Sequence, residues 1–419
     1  MFQIGLFSYF YQMVKLKQHT NIALGYFLLV GLLGILLRLF FVTPIGANFR
    51  FIVHAHSHIA LLGWVYIGIV TLIYKMYYTE VGLSKTYLRI FWFTNITVLG
   101  MLVTFPFQGY AFLSITFSTL FLIASYFLAW FFLKKIPVHY KAKNSYRCIR
   151  VSLIYLVISS IGPWAIGGVM ATLGNTSIWY KLSIYFYLHF QYNAWFILAL
   201  AGVFFYILEK AGILISKKEF QRFFNLLNAG IILSLFLSVL WVKPPAVFYI
   251  LAAMGGVLQV VALYQFFKIT APGWSFLKTQ ISPFIRLLLK ISATFLIIKV
   301  FLQLLTAIPF FAELSFRYTD FVIGYLHLVF LGVISISLFA FLLNFSLIKF
   351  KKRFFYIYFT GFILSEMLIF YKGAAMWLGL AFFSDYFLLL VIVSSLIPFS
   401  IGFLLYYNLR TTNYISQPG

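Results

Sequence analysis

The sequence predicts an all-α polytopic membrane protein of about 12 transmembrane helices. Three observations predict it. Apolar runs of 20 or more residues recur along the chain, and that is the length an α-helix needs to cross about 30 Å of hydrocarbon. Only 9% of the 419 residues are charged, where a water-soluble domain carries roughly a quarter, and the mean hydropathy is +1.01. The basic residues collect in the short connections between the apolar runs. Backbone polar groups in lipid must be satisfied within the segment, so these runs become helices. They are continuous rather than alternating, which excludes a transmembrane barrel.

In chain order the runs place spans at 20–43, 51–74, 87–106, 109–133, 151–172, 182–208, 223–242, 245–267, 284–306, 320–344, 354–380 and 386–408. Residues 1–19 lack a basic start and a small-residue cleavage site, so they read as a cytoplasmic or interfacial segment, an aromatic helix on the membrane surface. Residues 20–408 then form a single membrane domain with the lipid bilayer as its partner, and 409–419 a cytoplasmic tail. The net charge of +24 does not point to nucleic acid, because membrane topology explains where the charges sit. One cysteine, Cys148, excludes an intrachain disulfide and any multi-cysteine metal cluster.

The connections give an orientation. Of 31 Lys and Arg, four fall inside spans (Arg38, Lys290, Lys299, Lys372) and four lie on one side (Arg50, Lys181, Lys243, Arg317); the other 23 share the side of the N-terminus. Such an asymmetry, alternating with every span, predicts a multi-pass protein of the cell (inner) membrane with both termini cytoplasmic.

Five of the seven histidines fall within spans: His54, His56 and His58 in span 2, His189 in span 6 and His327 in span 10. His19 and His139 lie in basic segments and read as solvated. The local sequences of the intramembrane set align: HIALLGW from His58, HFQYNAW from His189, HLVFLGV from His327. Each has a small residue five positions on (Gly63, Ala194, Gly332), and the histidines are 131 and 138 positions apart, one per four spans. This spacing predicts three four-helix units in a pseudo-threefold arrangement, with sites where repeats meet. Spans 2, 6 and 10 run in the same direction. At 1.5 Å per residue, each histidine lies in the outer third of the bilayer. An isolated intramembrane histidine is more often a hydrogen-bonded packing residue than a ligand, but three aligned copies favour a cofactor site. Imidazole is a common ligand of heme iron and copper. The small residues one turn later would admit a flat macrocycle or a neighbouring helix. Within HAHSH, His54 and His58 share a face and His56 points away; the alignment favours His58, with His56 or His54 as a second ligand or its support.

Twelve spans, cytoplasmic termini and outer-third histidines on spans 2, 6 and 10 resemble the heme–copper oxidase superfamily, subunit I of cytochrome oxidases and nitric oxide reductases. The resemblance covers the chain in topology and is confined in sequence to these short motifs. It implies a low-spin heme held by His58 (or His56) and His327, and a copper or non-heme iron ligand at His189, with His54 available to a second metal. Oxidases carry a tyrosine four residues after the span 6 histidine, whereas Tyr192 comes at three. The family's histidine pair on helix 7 is missing from span 7, and span 10 has one histidine where the family has two. The resemblance therefore implies an oxidoreductase-like heme protein acting in electron transfer or nitric oxide and oxygen chemistry, without a complete heme–copper centre. Electrons would come from a quinone or a separate redox protein, with partner subunits. A weaker similarity is to NnrS-type heme membrane proteins, which also begin with HxH in an early helix.

Arg38, Lys299 and Lys372 fall toward the outer ends of spans 1, 9 and 11, where heme propionates need cationic partners; snorkelling to the surface is the alternative. Glu366 is the one acid well inside a span, expected to relay protons or to pair with Lys372. The buried lysines and the acid also suit a twelve-span secondary transporter, and a catalytically silent oxidase-like subunit is the third reading.

Overall fold

The computed structural model describes residues 2–78 and 84–416, with side chains for 15–78 and 84–410. The chain is an all-α polytopic membrane protein, and no strand occurs among the described residues. Twelve helices are long and apolar enough to cross a bilayer: Lys15–Leu39, Phe49–Tyr78, Lys85–Gln108, Phe112–Lys135, Asn144–Thr172, Ile178–Lys210, Lys217–Val242, Ala246–Gln280, Pro283–Leu305, Thr319–Asn344, Lys352–Leu378 and Tyr386–Arg410. We number these spans 1 to 12. Each coincides with an apolar run, and half of them extend past it by a turn or more. Lys75, which the run places just beyond span 2, therefore lies inside that helix and is buried. At the N-terminus the helix is continuous from Phe2 to Leu39. Residues 2–19 are thus helical, as expected, but they continue span 1 instead of forming a separate surface helix. The last helix runs on to Ser416, through most of the expected tail.

Local chemistry sets the helix ends. Asn48 and Ser282 cap spans 2 and 9, accepting the amides of Phe51 and Ile285. Span 5 breaks at Ser160–Ile161, beside Gly162 and Pro163. A Cβ at Gly162 would lie 2.6 Å from the Ser183 carbonyl, so glycine there lets span 6 approach.

The chain divides into two compact units. The first comprises Met1–Pro137, Leu338–Tyr371 and Ala381–Gly419, which hold spans 1–4, 12 and most of span 11. Its core is aromatic: Trp64 stacks on Phe27 at 4.7 Å, and Tyr74 on Tyr87 at 3.8 Å. The second comprises Val138–Ser337 and Lys372–Leu380, with spans 5–9 and most of span 10. One of its cores joins Tyr155, Phe190, Ala194, Leu198 and Ile231.

Spans 2, 6 and 10 stand apart from the rest. Their most apolar stretches are 94%, 78% and 72% buried, against 28–44% for the other nine. These three also carry the π-helices found among the described residues: Ala60–Val65, Phe190–Trp195 and Leu328–Ser335. Each begins one or two residues after the aligned histidine and encloses the aligned small residue. A π-turn is rare, inserts an extra residue into the helix and is frequent at functional sites. Three copies at corresponding positions make the sequence repeat a structural one.

Candidate functional site

In the first unit, His54 and His58 lie one turn apart near the start of span 2. The His58 Nδ1–H donates to the His54 carbonyl at 2.8 Å. A carbonyl can only accept, so in the neutral ring the lone pair sits on Nε2. That nitrogen faces the Tyr110 hydroxyl at 3.4 Å. Tyr110 belongs to the turn between spans 3 and 4, made by Gly109 at φ +59°. A Cβ on Gly109 would come within 2.3 Å of the Phe51 ring. The Tyr110 ring stands edge-on to His54 at 4.5 Å, and Phe105 covers His58 at 4.4 Å. Together these rings hold His58 in one orientation.

His56 points away from this pair, toward span 1. Its Nδ1–H donates to the Val30 carbonyl at 3.0 Å. Gly34 makes room for it: a Cβ there would lie 3.2 Å from His56 Cε1 and 3.3 Å from Arg38 Nη1. Arg38 donates to the Gly34 carbonyl at 2.9 Å. It lies within electrostatic reach of the buried Glu366 carboxylate. Gly63, the small residue of this repeat, admits the Tyr26 ring of span 1, which a Cβ would meet at 2.7 Å. Close helix packing accounts for it.

The second unit holds a continuous polar row. His189, 1% exposed, donates from Nε2 to the Ile231 carbonyl at 2.8 Å. That carbonyl is available because span 7 tightens to a 3₁₀ helix at Leu235, whose amide turns to Ile232. The His189 Nδ1 accepts from Asn193 Nδ2 at 3.2 Å. Asn193 Oδ1 accepts from Lys299 Nζ at 2.5 Å, and Lys299 also donates to Gln303 Oε1 at 2.6 Å. Tyr325 reaches the same Gln303 oxygen at 3.5 Å. Lys299 is 2% exposed and turned inward, so it does not snorkel.

No protein-family model matches the chain, and no curated protein matches it.

The expected site residues therefore divide. His54 and His58 come together, and His58 has the tautomer of a metal-binding imidazole, whose other nitrogen typically donates to a carbonyl. His189 has both ring nitrogens in close hydrogen bonds, to Ile231 and Asn193, whereas the contact of His58 Nε2 with the Tyr110 hydroxyl is longer, at 3.4 Å. His327 is half-buried at the N-terminal edge of the third π-helix. Among the described residues, no group of three or more His, Cys, Asp or Glu side chains is placed to hold a metal ion. Lys372 pairs with Asp320 at 3.1 Å. His139 is exposed as expected, but His19 is buried, stacked on Phe91 at 3.6 Å and bonded to the Tyr87 hydroxyl.

Sequence reasoning missed Tyr110, Asn193, Gln303 and Asp320. Asn193 follows His189 by four residues and Gln303 follows Lys299 by four, so helical spacing alone puts each pair on one face. Asp320 is one of only seven acids in the chain.

Proposed function

We propose that this chain is a heme-binding membrane protein on a scaffold like subunit I of the heme–copper oxidases, acting in electron transfer or nitric oxide and oxygen chemistry. The observation that carries the reading is His58: its Nδ1–H is tied to the His54 carbonyl, which leaves Nε2, in a 3.4 Å contact with the Tyr110 hydroxyl, as the nitrogen that would bind a heme iron. The recurrence of histidine, π-helix and small residue on the three most buried spans supports a pseudo-threefold scaffold of that type. A bound heme would supply one-electron chemistry and a site for a diatomic ligand.

What the chain's residues contribute follows from their partners. His58 would be a heme ligand, a role the resemblance implies for His327 as well; His54 orients His58 through its carbonyl, and Phe105 and Tyr110 pack against its ring. His56 anchors span 2 to span 1. Arg38 and Lys372 are the cations that would meet heme propionates, and Lys372 pairs with Asp320. His189 is read as a packing and hydrogen-bonding residue, through Ile231 and Asn193. The excess of Lys and Arg in alternate connections supports cytoplasmic termini in the cell membrane.

The test is an optical spectrum of the protein purified from heme-supplied cells. A Soret band with low-spin features is expected, and its absence would overturn the reading. A transporter is the second reading, favoured by the buried polar row at Lys299; a colourless protein that moves a solute against a proton gradient would establish it.

A further inference from the structure

We propose that His189, Asn193 and Lys299 form a one-proton site within the membrane-spanning region of the second unit. The excess proton resides on Lys299 Nζ or on His189 Nδ1, and never on both, because the amide between them can serve only one. The inference uses the second unit alone and does not depend on heme.

The hydrogen-bond directions carry it. The His189 Nε2–H is committed to the Ile231 carbonyl, so only Nδ1 can change its state. Asn193 lies between Nδ1 and Lys299 and has one donor end and one acceptor end. In the arrangement seen, Nδ2 donates to the Nδ1 lone pair and Oδ1 accepts from the ammonium. Placing a proton on Nδ1 would set two N–H groups against each other. Relief requires the Asn193 amide to turn over, so that Oδ1 accepts from Nδ1–H and Nδ2 points at Lys299. There Nδ2–H needs a lone pair, which Nζ has only as a neutral amine. The proton gained at Nδ1 is thus matched by one lost from Nζ, and each state binds a single proton. Gln303 Oε1 accepts from Lys299 in both, since a neutral amine keeps N–H donors.

Among the described residues, no carboxylate is bonded to His189, Asn193 or Lys299. Span 5 contributes Tyr155, span 6 Tyr185 and Tyr192, and span 10 Tyr325, all neutral phenols at ordinary pH. Span 7 contributes the Ile231 carbonyl. The carboxylate of Asp320 is engaged with Lys372. A second buried cation here would have no counter-charge.

The test is solid-state NMR of the full chain in lipid bilayers, with ¹⁵N-labelled histidine and lysine, followed between about pH 5 and 9. Signals are assigned by their loss in H189Q and K299M. In the native chain, a charged Lys299 and a doubly protonated His189 are never seen at the same pH. In N193D the carboxylate accepts from both sides, so the two charged signals appear together. Coexistence in the native chain overturns the proposal, as does a native chain in which neither group ever binds the extra proton. If N193D does not fold, the native spectra decide alone.

Discussion

Replacing Asn193 by leucine tests the polar row as an energetic unit. Asn193 Nδ2 satisfies His189 Nδ1, and its Oδ1 accepts from Lys299, both in a dry interior. Leucine is close in volume, so the loss is chiefly one of hydrogen bonds. An unsatisfied buried acceptor costs about 1–3 kcal/mol, and a hydrogen bond to a charged group is worth about 1.5–3. N193L should therefore lose about 3–5 kcal/mol. K299M removes the buried ammonium together with its bonds and should lose only about 1–2, since the orphaned amide oxygens are partly offset by the absent charge. In the double variant the ammonium that N193L strands is gone, and the loss should fall to about 1–3 kcal/mol, below that of N193L alone. The interaction energy is then about 1–6 kcal/mol, above the scatter of independent sites. Titrating the detergent-solubilised protein with denaturant, read by far-UV circular dichroism, gives the four stabilities. Additive losses would refute a row in which Asn193 is the link between His189 and Lys299.

D320N removes the carboxylate that Lys372 pairs with and should cost about 1–3 kcal/mol, and D320N/K372M should recover part of it; the same denaturant titration measures both. G63A places a methyl 2.7 Å from the Tyr26 ring and should destabilise by about 1–3 kcal/mol, with a Tyr26→Ala background removing most of that penalty. Y110F removes only a long hydroxyl contact on a half-exposed ring, so stability should change by less than about 0.5 kcal/mol.

The twelve spans were legible because membrane helices are written in continuous apolar runs, and hydropathy reads these directly. The histidine repeat was legible too, through its spacing and its small residues. The π-helices that accompany it were not, since HIALLGW and HLVFLGV hold no residue that by itself inserts a π-turn. The roles within the repeat diverged for reasons that lie in space. His58 finds the carbonyl four residues before it, a local partner. His189 finds Asn193 on its own helix and the Ile231 carbonyl 42 residues later in sequence, just before span 7 changes its helical pitch. The pair of Lys372 with Asp320 joins two spans 52 residues apart, and no sequence spacing announces it. His19 was misjudged because the helix of span 1 starts well before the apolar run, which carries a basic-segment histidine into an aromatic core.

The central claim is that His58 is a heme ligand and His189 is not, although the sequence repeat makes them equivalent. The most direct measurement is the optical spectrum of the native chain beside H58A and H189A, each purified from heme-supplied cells and checked for folding by circular dichroism. The account predicts a Soret band in the native chain and in H189A, with H58A losing the low-spin band. A colourless native chain, or a band unchanged in H58A and lost in H189A, would contradict it.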